Sequence, residues 1–285
     1  MDSKFRFKED IEAYLESSDS TVESLAETSG ISVSLLNLVL LKQYSPSFDI
    51  LERFYSFTYD RGLRWNTAKS EIRQEQLSKS EILLFHGSKT GINVIKSEGA
   101  RSDCDFGNGF YCGENFSQAS SFVCDFEKAS VYLFKTRTEG LKVDKFTCDL
   151  DWMLTVCFFR GMLKKYQNNI LLKQLQTRVN QADIIIAPIA DNKMFQVMKQ
   201  FGEGDITSVQ AMHALSASSL GNQYVFKSEK SIKRLIFLER LFLCGSEKTE
   251  IISKSKEREK MIETKLNLAK REFRKDGQFI DELLI

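Results

Sequence analysis

No long hydrophobic run occurs in this sequence, and that absence argues against an integral membrane protein. The apolar residues come in short runs such as 82–85 and 184–186, far below the roughly 18 residues that suggest a membrane-spanning helix. The first ten residues, MDSKFRFKED, also lack the apolar stretch of a secretory signal. We therefore expect a protein that is neither inserted in a membrane nor exported by that route.

Histidines and paired cysteines are equally scarce, which argues against a metal centre. The chain has two histidines, and its six cysteines include no CxxC pair, whereas zinc sites need clusters of these ligands. Scattered single cysteines usually act as small apolar residues in a reducing compartment. The sequence therefore predicts no metal and a cytoplasmic location.

What the sequence does contain is enough apolar surface for a folded core. Its 285 residues are 42% hydrophobic and 28% charged, which excludes a disordered or fibrous chain. The net charge of +1 is unevenly spread, because residues 1–80 hold 10 basic and 13 acidic side chains. Nucleic-acid affinity depends largely on cations that neutralise phosphates, so this N-terminal segment is poorly suited to strong DNA binding.

The spacing of apolar residues divides the chain into four segments. Residues 1–61 show helical spacing broken by polar turns, which predicts a small all-α module, and the polar residues 62–80 predict a linker with room for a short solvated helix. Residues 81–244 alternate β-rich runs with helical stretches at 115–129, 149–164, 168–179 and 192–200 and predict an α+β domain. Residues 245–285 predict a charged amphipathic helix, which packs on the domain or binds a partner or a second copy of the chain.

Within the first segment, TVESLAETSGISVSLLNLVL resembles the repressor-type helix-turn-helix of many bacterial proteins. The resemblance implies a recognition helix over about residues 32–42, whose outward residues Ser34, Asn37 and Lys42 would face DNA. A single cation is little for binding phosphates. Two interpretations therefore stay open: weak DNA binding, or a helical bundle used for docking or dimerisation.

Three short motifs in the α+β segment are candidate functional elements. FHGS at 85–88 ends the first predicted strand, FGNGFY follows at 106–111, and NQYV lies far downstream at 222–225. Each motif alone is explained as well by packing, since a GxGFY loop is usually a tight turn with packed aromatic rings. Their order and spacing together indicate one shared site.

Taken together, these motifs resemble the nucleotide-binding core of the diphtheria-toxin and poly(ADP-ribose) polymerase class of ADP-ribosyltransferases. The stretches CDFGNGFYCGENFSQA, ADIIIAPIADNKMF and LGNQYVFKSEKSIKRL are more similar still to a bacterial family of such transferases, often found with toxin or anti-phage systems. The resemblance covers about residues 82–238. It implies split antiparallel sheets around a cleft for NAD⁺, a substrate whose ADP-ribose passes to a protein or nucleic acid. A neutralising antitoxin is a further implied partner.

The resemblance also implies a role for each motif residue. His86 would hydrogen-bond the adenosine ribose, and the backbone of Gly87 would hold the nicotinamide carboxamide. Tyr111 would form one face of an aromatic slot for the nicotinamide ring, and Phe122 would be the second stacking aromatic. The other NAD⁺-binding residues that it implies are Ser88, Gly107, Gly109 and Phe110.

Gln223 stands where the broader class has a glutamate. An amide can share a hydrogen bond with a ribose hydroxyl, but it lacks the negative charge that stabilises an oxocarbenium ion. We therefore expect single transfer of ADP-ribose rather than chain elongation, with His86, Tyr111 and Gln223 as the catalytic residues. Glu229 is a second candidate carboxylate, although six residues along a strand span roughly 20 Å.

Two alternative functions stay open at this point. Water can replace the macromolecular acceptor, which would make the protein an NAD⁺ glycohydrolase. Alternatively, an inactive domain senses NAD⁺ on behalf of a DNA-binding regulator. Among the remaining polar residues, Asp183 and Asp191 could face the site, but a strand edge and a helix N-cap explain them better. His213, in a predicted helix, is better explained as a structural residue.

Overall fold

In the computed structural model, which describes residues 5–96, 104–216 and 220–285, five helices precede the first strand. Thr21 and Ser32 cap the second and third of them, because their side chains accept hydrogen bonds from backbone N–H groups three residues on. Gly30 ends the second helix with a φ of +69°. The helices are α1 (Phe7–Ser18), α2 (Val22–Ser29), α3 (Val33–Leu40), α4 (Phe48–Asp60) and α5 (Trp65–Glu75).

The helical module shares its core with the domain that follows. Phe7, Leu36 and Phe54 are fully buried in it, and the same cluster includes Phe242 from the last strand. The ring of Tyr55 stacks on Phe242 with centroids 5.3 Å apart. The module therefore packs directly against the sheet.

Residues 62–80, expected to form a linker, contain α5, and this helix is docked by buried polar contacts. Asn66 is buried and donates hydrogen bonds to the backbone oxygen of Phe242 at 2.8 Å and to Oε2 of Glu247 at 2.6 Å. The Nζ of Lys69 lies 2.6 Å from a carboxylate oxygen of Asp10 in α1 and 2.9 Å from one of Glu239. The polar residues that suggest a solvated segment thus join the module to the sheet.

The predicted α+β class is confirmed, and its strands form one seven-stranded mixed sheet in the order β4-β5-β6-β2-β1-β3-β7. Neighbouring strands are antiparallel except β4 and β5. The strands are β1 (Ile82–Ser88), β2 (Phe110–Gly113), β3 (Ser130–Thr136), β4 (Val143–Lys145), β5 (Ile184–Pro188), β6 (Asn222–Phe226) and β7 (Ile236–Phe242).

Two sheets were expected where the structure has one, but its two halves are weakly joined. Strand β1 registers with β3 along all seven of its residues. On its other side, within the described residues, β1 registers with β2 at the single pair Phe85 and Gly113. The sheet therefore consists of the halves β4-β5-β6-β2 and β1-β3-β7, which separate beyond this pair.

The helices of the domain begin close to the predicted positions, but two of them end earlier. The stretch predicted as a helix over 115–129 is helical from Phe116 to Ser121, and the one predicted over 149–164 ends at Phe159. The helices are α6 (Phe116–Ser121), α7 (Leu150–Phe159), α8 (Ile170–Asn180), α9 (Asn192–Glu203), α10 (Ser208–Leu215), α11 (Glu229–Ile232), α12 (Gly245–Glu272) and α13 (Ile280–Leu283), with a 3₁₀ turn at Lys164–Tyr166.

The predicted C-terminal helix is α12, which packs on the domain. Its Ile262, Leu266 and Ala269 are buried, and the first two belong to the main core, which also contains residues of α7 and α9. None of the helices in the described residues is both long enough and apolar enough to cross a membrane. All six cysteines are free thiols.

Candidate functional site

The candidate site lies where the two halves of the sheet separate. A cavity of about 210 Å³ opens there between β1 and β2. Five of the residues implicated by the sequence line it, namely His86, Gly87, Tyr111, Phe122 and Gln223. The fold thus brings together three motifs that are far apart in the sequence.

His86 bridges the two halves of the sheet with its side chain. Its Nδ1 lies 2.6 Å from the backbone oxygen of Tyr111 in β2, and since a carbonyl oxygen can only accept, Nδ1 carries the hydrogen. The ring stacks on Phe110 with centroids 4.3 Å apart. Burial lowers the pKa of His86, more than the bond to Tyr111 raises it. The neutral ring therefore keeps a lone pair on Nε2, which has no protein partner among the described residues.

Gly87 allows α6 to approach β1 closely. A Cβ at this position would collide with the backbone oxygen of Ala119 and would lie 3.1 Å from both methyl groups of Val123. Only a residue without a side chain fits this contact. The backbone of Gly87 consequently lines the cavity, between β1 and the helix that covers it.

Tyr111 organises the loop that precedes β2. Its hydroxyl donates to the backbone oxygen of Gly107 at 2.6 Å and accepts from the backbone N–H of Phe106 at 3.1 Å. Burial raises the pKa of Tyr111, which keeps the hydroxyl protonated and able to donate. Gly107 itself has a φ of +70°, and Lys227 donates to the backbone oxygen of Phe106 at 2.6 Å. The loop is thus held from two sides.

Gln223 is buried on β6, and two acceptors surround its amide nitrogen. Its Nε2 donates to Oδ2 of Asp105 at 2.8 Å and to the backbone oxygen of Pro188 at 3.1 Å. Neither a carboxylate nor a backbone carbonyl oxygen can donate a hydrogen bond. The Oε1 atom has no protein donor among the described residues, and Gln223 lines the cavity.

Asp105 and Arg160 also belong to the site, although the sequence pattern did not identify them. Asp105 is buried, and its Oδ1 accepts from Nε of Arg160 at 3.0 Å and from Nη2 at 2.8 Å. The guanidinium of Arg160 lies 3.8 Å from the ring centre of Phe195. The one signal for Asp105 is its position directly before the FGNGFY motif. Arg160 follows α7 and carries no signal in the sequence.

Four of the implicated residues support the cavity without lining it. The hydroxyl of Ser88 donates to the backbone oxygen of Gly91 at 2.9 Å and accepts from its N–H at 3.0 Å. A Cβ on Gly109 would lie 2.7 Å from Val225, so this glycine lets β2 pack on β6. Phe110 is buried beneath His86, and Gly107 forms the turn of the loop.

The remaining polar candidates lie outside the cavity. Strand β6 ends at Phe226, so Glu229 does not continue it and is instead exposed at the start of α11. Asp183 accepts from Ser228 at 2.6 Å and from the backbone N–H of Lys142 at 2.8 Å.

The other two polar candidates have structural roles. Asp191 is the N-cap of α9, the structural role that its sequence context favours. His213 packs against Phe273 with ring centroids 4.9 Å apart. In the described parts of the chain, no group of three His, Cys, Asp or Glu side chains is arranged to hold a metal ion.

Comparison with known proteins identifies one family. The family model described as "Protein of unknown function (DUF3990)" matches residues 82–237, which is more than half of the chain. No curated protein and no solved structure matches. The matched region begins with β1 and ends inside β7, so it contains every cavity residue named above and leaves out the helical module and α12.

Proposed function

The chain belongs to this DUF3990 family of proteins of unknown function, and from its cavity we propose that it is an NAD⁺-dependent mono-ADP-ribosyltransferase. One observation carries the proposal. His86, Tyr111 and Gln223, which the sequence resemblance implicates from three distant motifs, line a single cavity. If the resemblance were a coincidence, there would be no reason for these three residues to line the same cavity.

The size of the cavity supports binding of one end of the dinucleotide. Its volume of about 210 Å³ lies below the roughly 300–1,000 Å³ of pockets that enclose a whole drug-sized ligand. The nicotinamide end enters the cavity in this proposal, and the rest of NAD⁺ lies along the opening. Phe122, whose side chain is 48% exposed at the rim, offers a ring face on which a flat heterocycle stacks.

The proposed reaction breaks the bond between nicotinamide and ribose. The bonding electrons move to the pyridinium nitrogen, neutral nicotinamide leaves, and C1 of the ribose becomes an oxocarbenium-like cation. A nucleophile of the acceptor then attacks this carbon and loses its proton. Such a reaction needs held geometry more than a strong base, and the cavity offers fixed groups, namely the neutral ring of His86, the backbone of Gly87 and the oriented amide of Gln223.

Single transfer to a protein or nucleic acid is the outcome that Gln223 favours, since an amide does not act as a base toward a ribose hydroxyl of a growing chain. The sequence resemblance supports a bacterial toxin or anti-phage effector that a partner protein neutralises. Strong expression in a bacterial host would then arrest growth, and His86→Ala would remove this effect. Normal growth at full expression of the wild type would contradict the toxin role.

The deciding experiment measures nicotinamide release from NAD⁺ by the purified protein, with and without a bacterial lysate as the source of acceptor. We expect release that needs the lysate, and its loss in His86→Ala, Tyr111→Ala and Gln223→Ala. Gln174→Ala on the exposed side of α8 is the matched control and retains full activity.

The other outcomes each select an alternative. Release without lysate, at an unchanged rate when lysate is added, would identify an NAD⁺ glycohydrolase. Absence of both nicotinamide release and NAD⁺ binding would refute the enzyme. A regulator that contacts DNA phosphates would then have to show DNA binding that weakens as salt concentration rises.

A further inference from the structure

We propose that Asp105 is a positioning residue that turns the amide of Gln223 so that its carbonyl oxygen faces the cavity. The proposal rests on the transferase function, because the group that meets this oxygen is a hydroxyl of the NAD⁺ ribose. Asp105, which directly precedes the glycine loop, thus supplies part of the stabilisation that a glutamate on a late strand supplies in the broader class of ADP-ribosyltransferases.

The orientation of the amide follows from the chemistry of its neighbours. A side-chain amide offers a donor on one side and an acceptor on the other. In the opposite orientation, Oε1 of Gln223 would face Oδ2 of Asp105 and the backbone oxygen of Pro188, which are 2.8 Å and 3.1 Å from the present Nε2. Three acceptors would then meet without a hydrogen between them. The observed orientation is therefore the one that the surroundings permit.

Arg160 holds Asp105 in the orientation that this contact needs. Its guanidinium donates twice to Oδ1, which leaves Oδ2 to the amide. Asp105 is 5% exposed, so water competes little for either oxygen. The chain of contacts from Arg160 through Asp105 to Gln223 links the end of α7, the glycine loop and β6.

The hydrogen bond from Gln223 to Asp105 also makes Oε1 of Gln223, at the cavity end of the amide, a better acceptor. A hydrogen bond to a charged acceptor is stronger than one between neutral groups, and chains of hydrogen bonds polarise one another. The carboxylate of Asp105 thus increases the negative partial charge on Oε1 of Gln223. An oxygen of this kind, facing the cavity, stabilises positive charge that develops on the ribose.

The test exchanges the two functional groups. Asp105→Asn allows the amide of Gln223 to turn over, and we expect kcat for nicotinamide release to fall about ten- to a hundredfold while KM changes less. Gln223→Glu places two carboxylates against each other, which cannot both be ionised at this distance, and we expect it to lower both kcat and the melting temperature.

The double variant Asp105→Asn with Gln223→Glu restores one hydrogen bond between the two side chains with donor and acceptor exchanged, while the new carboxylate at position 223 still faces the backbone oxygen of Pro188. We expect its kcat to exceed that of Gln223→Glu and its melting temperature to recover in part. Asp205→Asn, an exposed aspartate of the same domain, is the matched control with unchanged kcat.

The possible results separate this proposal from the proposed function. If the wild type releases nicotinamide and Asp105→Asn has an unchanged kcat, or the double variant is no better than Gln223→Glu, the role of Asp105 is refuted and the transferase stands. If the wild type releases no nicotinamide with any acceptor, the transferase is refuted and the positioning role of Asp105 with it. A merely structural Asp105 would lower the melting temperature in Asp105→Asn without the change in kcat.

Discussion

The Nδ1 atom of His86 lies 2.6 Å from the backbone oxygen of Tyr111, and this contact joins the two halves of the sheet where their strands have separated. A side chain here replaces a hydrogen bond of the strand ladder. The opening between the halves is therefore both held and lined by the same residue. Its ring leaves Nε2 available to a ligand.

Substitution of His86 should separate these two roles. The amide nitrogen of asparagine is as many bonds from Cα as Nδ1 of histidine, so His86→Asn keeps a donor to Tyr111 but has no counterpart of Nε2. We expect His86→Asn to melt near the wild type while nicotinamide release falls about a hundredfold. His86→Ala should lose both activity and stability. Equal melting temperatures of the two variants would contradict the bridging role.

The lowered pKa of His86 has a consequence for stability below neutral pH. Burial holds this pKa below its ordinary value of 6.5, so between the two values the unfolded chain binds more protons than the folded one. The contribution of His86 to stability is present above pH 6.5 and is lost as the pH falls toward the folded pKa. Between pH 8 and pH 5, the melting temperature should fall less steeply for His86→Asn than for the wild type. Parallel curves for the two proteins would refute this assignment.

Gly87→Ala should fill the space that allows α6 to pack closely on β1. The new Cβ meets the backbone oxygen of Ala119 and lies 3.1 Å from the methyl groups of Val123, so the helix or the strand must move. We expect lower NAD⁺ affinity by calorimetry and a lower melting temperature. Gly202→Ala is the control, because its Cβ would lie 3.4 Å from the nearest atom, in Met162, which is an ordinary contact. Within a helix such as α9, alanine is also more favourable than glycine by about 1 kcal/mol.

Glu247→Gln should stabilise the protein at alkaline pH. Burial raises the pKa of Glu247 from 4.5 to about 7, against the opposing bond from Asn66. The folded state thus favours the protonated form, and stability is lost as the pH rises from about 4.5 through 7. A shift of this size corresponds to about 3 kcal/mol. Glutamine carries no such charge, so the gain in unfolding free energy should appear at pH 8 and vanish near pH 4.

Lys69→Met should weaken the attachment of the helical module. Lys69 neutralises Asp10 of α1 and Glu239 of β7, at 2.6 Å and 2.9 Å, and both carboxylates are buried. Removing the shared cation leaves the buried Asp10 without a cationic partner, whereas Glu239 keeps Arg73 at 2.9 Å. Breaking a buried pair in this way typically costs about 3–5 kcal/mol. Urea unfolding measures this loss. Lys8→Met, which removes a partly exposed pair with Glu12, is the control, with a change below about 1 kcal/mol.

Much of the local structure follows from sequence signals that act over a few residues. The side chains of Thr21, Ser32 and Asp191 cap α2, α3 and α9, and such a cap depends only on the residue type and the next three residues. The apolar runs at 82–85 and 184–186 lie in β1 and β5. Likewise, His86, Gly87, Tyr111 and Gln223 lie in the three short motifs, the family resemblance implies Phe122, and all five line the cavity.

Other features depend on groups that meet only after folding. Ser88 has the residue type of a binding residue, but a turn beyond β1 engages its hydroxyl with Gly91. The polar composition of residues 62–80 indicates a solvated segment, because composition does not reveal that Lys69 finds Asp10 and Glu239. A charge in the sequence indicates exposure unless its partner is known.

The sequence by itself determined the α+β class, the order of the elements and the motif residues, since periodicity, caps and glycine positions act locally. The tertiary structure decided that the strands form one sheet with an opening between β1 and β2. It also decided that Asp105 orients Gln223 from 118 positions away. Such a contact depends on the packing of the loop, α7 and β6 together, and no short-range pattern records it.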